Sequence, residues 1–251
     1  MDSIAMLYQM YDISNDVKVL SFNYGQKHKK ELDFVQYHVD NLSSLDWKVI
    51  DLTSVSQLLT KSALVGDRDV PEGHYEHESM KQTVVPNRNM IMASIAAAAC
   101  INEGGWLLGL GVHAGDHAIY PDCRPEFVRT LEATLHVANQ GFIHPQFQIY
   151  APWLTVSKAE IVSIGMQHGV DFSETWSCYK GGEKHCGKCG TCVERKEAFF
   201  LAGVEDPTDY AETGVGGHYA NGINRISFQE AQALSGRLIE SVDFEPTTKE
   251  N

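Results

Sequence analysis

Four cysteines crowded into one stretch, CYKGGEKHCGKCGTC at 178–192, constrain this chain more than any other feature. They are Cys178, Cys186, Cys189 and Cys192. Two Cys-x-x-Cys steps share Cys189, and Cys178 reaches back across a Gly-Gly turn. Four thiolates complete a tetrahedral zinc shell with no position left for water, the closed and structural kind of site. Glycines at 181, 182, 187 and 190 let the backbone fold tightly around a small ion. Lys180, Lys184, His185 and Lys188 place positive charge beside a doubly negative zinc-tetrathiolate centre. An iron–sulfur cluster uses the same ligand atoms and stays open, as do disulfides and four free thiols. The favoured reading is one structural Zn2+ per chain.

The rest of the composition narrows the class. A chain of 251 residues, 43% hydrophobic, can bury a substantial core, as one domain with appendages or two small ones. Its formal charge of -13 would repel a nucleic-acid backbone, so nucleic acid is not expected as a direct partner. No apolar run reaches membrane-spanning length, so no membrane association is expected. MDSIAMLYQM at the start has neither the basic segment nor the cleavage pattern of a secretory signal. The remaining cysteines, Cys100 and Cys123, lie far apart, and a reducing cytoplasm suits the set. Homodimerisation is left open.

Periodicity predicts alternating helices and strands. Ile4, Leu7, Tyr8 and Tyr11 have helical spacing, and VKVLSF at 17–22 reads as a buried strand. A helix over 28–42 and a strand over 47–51 follow, giving the alternation of a doubly wound parallel sheet. Residues 61–87, polar and rich in Gly, His and Glu, read as an excursion or lid. The strongest helix is 89–103. Strands are expected at 106–112 and 147–152, with a helix from Pro125 to about Asn139 between them. The helix over 157–169 carries a capping box, Ser157 with Glu160. After the cysteines come a helix from Val193 to about Leu201 and a Gly/Pro/Ser/Thr-rich tail with a short helix near 229–240.

The opening residues look like the back half of a phosphate-binding loop. Such a loop follows a central strand and uses glycines to aim backbone N–H groups at phosphate from a helix N-terminus. That strand and its glycines do not precede Met1, so the expectation is a shortened reading of a longer protein, poorly soluble and inactive as written. A genuinely short, repurposed protein is the alternative.

With these pieces in order, the chain resembles the 7-cyano-7-deazaguanine synthases of queuosine-type base biosynthesis, within the adenylating ATP-pyrophosphatase superfamily. The matching segments are MDS at 1–3, LSFNYGQKHKKEL at 20–32, VPNRNMIM at 85–92, GVHAGDHAIYPDCRPEF at 111–127, SKAEIV at 157–162 and ETWSCYKGGEKHCGKCGTC at 174–192. The resemblance implies an α/β fold, a Rossmann-like parallel sheet with flanking helices of the adenine nucleotide alpha hydrolase-like kind. Here that sheet is expected to lack its first central strand and to carry a C-terminal zinc-binding segment. The expected division is 1–172 for the adenylating nucleotide-binding domain, 173–207 for the zinc segment and its helix, and 208–251 for an extension of unknown role. The implied reaction joins 7-carboxy-7-deazaguanine and ammonia at the expense of ATP to give the nitrile. It also gives Asp2 and Ser3 the end of the pyrophosphate-binding Ser-Gly-Gly-x-Asp-Ser signature, of which only the last three positions are present, and gives the four cysteines the zinc. His113-Ala114-Gly115 departs from the family's more usual Asn and small hydrophobic residue.

A carboxylate is a poor electrophile, and ATP overcomes this by forming an acyl-adenylate. Ammonia then gives an amide, and a second adenylation makes loss of AMP and a proton yield the nitrile. Both rounds need cations near phosphate and a preorganised place for oxygen charge, with Mg2+ on the triphosphate. Arg88 is the leading cation, a surface ion pair being its bland alternative, and Asp116 joins it as a catalytic candidate. Tyr24, Gln26 and Lys27 are assigned to the nucleotide, against turn packing and solvated surface. Tyr120 can stack on the substrate ring. Asp116 or Asp122 can accept from its N–H groups, and Arg124 can hold its carboxylate. Alternatively Asp122 and Arg124 only pair with each other, and His113 with His117 gives a weak metal reading. Two other functions compete: an adenylating enzyme for another carboxylate or a tRNA base, and a zinc-stabilised module without catalysis.

Overall fold

The computed structural model describes residues 1–14, 16–43 and 45–211. The expected helix at 229–240 and most of the tail lie outside them. The described residues form a mixed α/β fold with two small parallel sheets. In chain order the regular elements are α1 (Asp2–Ile13), β1 (Lys18–Asn23), α2 (Glu31–Asn41), β2 (Asp46–Asp51), α3 (Thr53–Ser56), α4 (Arg88–Asn102), β3 (Leu107–Gly109), α5 (Pro125–Ala138), β4 (Gln148–Tyr150), α6 (Lys158–Gln167) and α7 (Gly190–Ala202).

β1 pairs with β2 from Lys18↔Asp46 to Asn23↔Asp51, and β3 pairs with β4 from Leu107↔Gln148 to Gly109↔Tyr150. No ladder joins the two pairs among the described residues. The strands expected at 106–112 and 147–152 shrink to three residues each. Single bonds lengthen the pairing at both ends, from Gln148 N–H to the Trp106 carbonyl at 2.9 Å and from Leu110 N–H to the Tyr150 carbonyl at 2.9 Å.

Packing explains where the layers meet. α4 lays its alanines on β3 and β4: Ala93, Ala97, Leu108, Ile149 and the α5 residues Val128, Leu131 and Leu135 form one buried cluster. α5 earns its place through the helical spacing of those three residues. α1 buries Ile4, Ala5, Met6 and Leu7, and its sulfurs cross β3 at Gly109. A Cβ there would fall 2.5 Å from Met10 Sδ. α6 and α7 pack on α1, with Ile4, Val162, Ala198 and Phe199 in a second cluster. The capping box of α6 is present: Ser157 Oγ accepts from Glu160 N–H at 3.3 Å and Glu160 Oε2 accepts from Ser157 N–H at 2.8 Å. α7 begins at Gly190, three residues earlier than its sequence suggests, because Cys189 takes the N-cap position.

The 61–87 excursion holds one short 3-10 turn, Glu78–Thr83. It covers a third cluster of Tyr24, Leu64, Val70, Val85, Trp176 and three of the cysteines. It is tied to the cysteine loop by Gly73 N–H donating to the Lys188 carbonyl at 2.9 Å and by the Lys180–Glu72 ion pair. Among the described residues no helix is long and apolar enough to cross a membrane.

Candidate active site and thiolate cluster

Four helices present their first turns to one cavity of about 190 Å³. α1 contributes Asp2 and Ser3, α4 contributes Arg88, α6 contributes Lys158, and α7 contributes Gly190, Thr191 and Glu194. Unpaired backbone N–H groups and aligned peptide dipoles make helix N-termini hospitable to anions. The chain just beyond β3 reaches the same place. Gly111 lets it approach Ser3 closely, since a Cβ there would sit 2.9 Å from Ser3 Oγ.

Lys158 is the charged centre of this floor. Its ammonium lies 2.6 Å from Glu194 Oε2, 3.3 Å from Asp2 Oδ2 and 3.3 Å from His113 Nε2. Burial works against the ammonium, yet Asp2 and Glu194 more than offset it and hold the Lys158 pKa above its ordinary value. For Asp2, burial would raise the carboxyl, but Lys158 and then His113 hold it well below the usual carboxylate range. Asp2 Oδ1 is buried with no hydrogen-bond partner among the described residues. His113 is 2% exposed, accepts the Gly115 N–H at Nδ1 at 3.1 Å, and turns Nε2 toward Asp116 Oδ2 at 3.5 Å.

The opposite wall is aromatic. The Tyr120 hydroxyl meets Thr83 Oγ1 at 2.6 Å and the Tyr179 hydroxyl at 3.5 Å. The His28 ring stacks at a tilt on Tyr179, 5.1 Å between centroids, and burial lowers its pKa. Arg88 enters here because Asn87 turns the chain with φ 62°, the only described non-glycine residue in the left-handed region. Asp122 Oδ2 then accepts the Asn89 N–H at 3.1 Å and caps α4. Asn tolerates this backbone and β-branched residues do not. Asn87→Val is expected to cost about 1–3 kcal/mol, read as a lower urea midpoint at unchanged slope. An unchanged midpoint would show that the turn is not strained.

Among the sequence-derived candidates, Asp2, Ser3, Arg88, Asp116 and Tyr120 line the cavity. Tyr24 lies behind its wall, with its hydroxyl 3.4 Å from His28 Nε2. Gln26 packs in the turn: Oε1 accepts the Tyr24 N–H at 2.9 Å and Nε2 donates to the Phe22 carbonyl at 3.0 Å. Lys27 donates to the Arg68 carbonyl. Asp122 and Arg124 are not part of the lining. Asp122 caps α4, and Arg124 Nε donates to the His117 carbonyl at 2.9 Å. Lys158 and Glu194 escaped sequence reasoning as site residues. Lys158 stands inside a capping motif and Glu194 just beyond the cysteines, and only the fold brings them together.

The four cysteine sulfurs lie within 4.8 Å of one another. Cys189 Sγ is 3.5 Å from Cys192 Sγ and 4.0 Å from Cys178 Sγ, and Cys186 Sγ is 3.9 Å from Cys192 Sγ. Metal–sulfur bonds of about 2.3 Å in a tetrahedron put sulfurs about 3.8 Å apart, so the set fits a metal ion. Backbone N–H groups of Cys186, Lys188 and Cys189 point at sulfur at 3.3–3.4 Å, the arrangement that favours thiolates. The cluster sits beside the cavity, since Thr191 Oγ1 is 3.4 Å from Cys189 Sγ and donates to the Ser177 carbonyl at 2.7 Å.

A family profile described as "Queuosine biosynthesis protein QueC" matches residues 1–203. A protein of Rhizobium rhizogenes named 7-cyano-7-deazaguanine synthase is 48% identical over 212 residues, 84% of this chain and 89% of the relative. Proteins of the same name from Allorhizobium ampelinum and Brucella anthropi are each 49% identical over 212 residues, again 84% of this chain, and 89% and 90% of the relatives.

Proposed function

This chain belongs to the queuosine biosynthesis protein QueC family, and from that premise we propose that it is a 7-cyano-7-deazaguanine synthase. It is an ATP-dependent carbon–nitrogen ligase that converts 7-carboxy-7-deazaguanine and ammonia to the nitrile through adenylated acid and amide intermediates. The observation that carries the assignment to this cavity is the convergence of Lys158, Arg88 and four helix N-termini on one space. Two rounds of pyrophosphate departure need fixed positive charge there. Lys158 and Arg88 supply it, and the first turn of α1 at Asp2 and Ser3 offers N–H groups to phosphate. Mg2+ accompanies ATP as part of the co-substrate. Tyr120 and Tyr179 offer flat apolar faces and hydroxyls to the deazapurine, and Asp116 an acceptor at its edge. Asp122 contributes to that edge by holding α4 in place, and Arg124 by holding the loop that bears His117.

The metal in this reading is zinc, held by Cys178, Cys186, Cys189 and Cys192 with every coordination position filled by protein. When bound it supplies a rigid crosslink, and no step of the reaction passes through it. The two parallel pairs support a reading as the halves of one Rossmann-like sheet, β2-β1 and β3-β4, in an adenylating domain over 1–172, with 173–207 as the metal segment and 208–251 as an extension. Four thiols kept available for metal suit the cytoplasm.

The test is release of AMP and pyrophosphate with 7-carboxy-7-deazaguanine and ammonium, with the nitrile identified by mass. Lys158→Met is expected to lower turnover about 100-fold or more with metal content unchanged. AMP release without nitrile, or independent of the acid, would overturn the assignment.

A further inference from the structure

Resting on the reaction proposed above, we propose that Glu194 is the positioning residue that fixes Lys158 at the cavity floor. Through it, α7 and its thiolate-anchored N-terminus set the place of the ammonium. The observations come from three elements. Lys158 is the first residue of α6 and Glu194 lies in the second turn of α7, and their side chains are 11% and 9% exposed with 2.6 Å between nitrogen and oxygen. A pair this sheltered is weakly screened by water. The other carboxylate in contact, Asp2 on α1, is farther, at 3.3 Å.

The start of α7 is not free to move. Cys189 is its N-cap and Cys192 lies within its first turn. The Cys189 carbonyl accepts from the N–H groups of Cys192 at 2.9 Å and Val193 at 3.0 Å, and Thr191 ties the same turn to Ser177. Glu194 therefore projects from the turn that directly follows this pinned one. An unbranched lysine chain has several rotatable bonds and no preferred direction of its own. A carboxylate on a rigid helix supplies that direction, and holds the ammonium where a phosphate can share it. The same turn presses on the neighbouring loop: a Cβ on Gly115 would lie 3.0 Å from Glu194 Oε1 and 2.9 Å from His113 Cε1.

Glu194 also has an electrostatic consequence. The groups facing Lys158 are Glu194 on α7, Asp2 on α1, and His113 and Asp116 in the loop after β3. Burial lowers the Lys158 pKa, and Asp2, Glu194 and Asp116 raise it. Removing the Glu194 charge leaves burial less opposed, so the pKa of Lys158 falls and the amine deprotonates at lower pH.

The experiment uses the metal-loaded full chain and the variant Glu194→Gln, which keeps the shape and an oxygen acceptor. Acylation of Lys158 by acetic anhydride, followed by peptide mass spectrometry at fixed alkaline pH, reads the free amine. It is expected to be about tenfold faster in the variant, as one unit of pKa dictates. In the nitrile assay, turnover at saturating ATP falls about 10–100-fold. A merely structural Glu194 would lower stability and metal content and leave the Lys158 labelling rate unchanged. Labelling at the wild-type rate, with metal retained, overturns the proposal. Should Glu194→Gln lose metal, Glu194→Asp keeps the charge and withdraws it by one methylene from the 2.6 Å contact with Lys158. Faster Lys158 labelling than in the wild type is expected there as well, and an unchanged rate overturns the proposal equally. If the wild-type chain makes no nitrile, the reaction assignment fails, and the labelling comparison still decides the role of Glu194.

Discussion

Cys189→Ser is expected to abolish metal binding, from one ion per chain to a trace by elemental analysis, and to open the loop and helix that follow. Cys189 is fully buried and serves twice. Its sulfur lies 3.5–4.0 Å from those of Cys192 and Cys178, and its backbone caps α7. Metal–thiolate binding in small sites contributes on the order of 10 kcal/mol to folding. The other ties of this stretch, such as Ser177 N–H to the buried His185 ring and Lys196 to the Gly187 carbonyl, are single polar contacts, and its buried side chains are largely the thiols themselves. The thermal transition should drop by about 10 °C or more, and amide exchange should rise first at 186–194. Because Thr191 and Glu194 lie in the first two turns of the same helix, nitrile formation should disappear with the metal. Chelation of the wild-type chain should reproduce these effects. A variant that keeps one metal ion per chain, or a chelated wild type of unchanged stability, would contradict the crosslink role.

Arg195→Met is the second change with a large expected effect, about 3–5 kcal/mol of lost stability. Arg195 is 0% exposed in the middle of α7. Its guanidinium donates from Nε to Thr208 Oγ1 at 2.6 Å, from Nη1 to Thr175 Oγ1 at 2.8 Å and Ser177 Oγ at 3.1 Å, and from Nη2 to the Phe172 carbonyl at 2.7 Å. Asp206 lies 3.6 Å from Nε. One planar fork thus joins α7 to the 3-10 turn and the short run before Cys178 and to the segment that follows the helix. Methionine fills much of the volume but strips one donor from the Phe172 carbonyl, which Thr175 Oγ1 also serves at 2.8 Å, and leaves the mostly buried Asp206 carboxylate without its cation. Arg195→Lys should recover only part of the loss, since an ammonium cannot reach partners on several sides at once. Equilibrium urea unfolding, with an unchanged slope and a lower midpoint, is the measurement. A midpoint within 0.5 kcal/mol of wild type would show that these bonds add nothing net.

The sequence by itself determined the local features whose signals are local. The cysteine spacing places four thiols where a few turns of backbone bring them together. Ser157 and Glu160 specify the start of α6, and the run of alanines at 96–99 specifies a helix able to approach a sheet. Pro125 and the spacing of Val128, Leu131 and Leu135 do the same for α5. Strand lengths were less legible, because a strand is recognised by its apolar run but ends where its partner ends. Among the described residues β3 shares a ladder with β4 alone, and three residues suffice for it.

The site divides in the same way. Asp2, Ser3, Arg88, Asp116 and Tyr120 sit in motifs and reach the cavity. Asp122 and Arg124 sit in a motif too, yet their side chains are engaged in capping α4 and bracing the His117 loop. No residue pattern states whether a carboxylate faces a ligand or a helix N-terminus, since both satisfy the same hydrogen-bonding need. Glu194 and Lys158 are 36 positions apart, and their partnership exists only because α6 and α7 pack against each other over α1. Short-range chemistry was therefore readable in one dimension. The electrostatic centre of the cavity was decided by helix packing, which brings together charges that nothing in the local sequence connects.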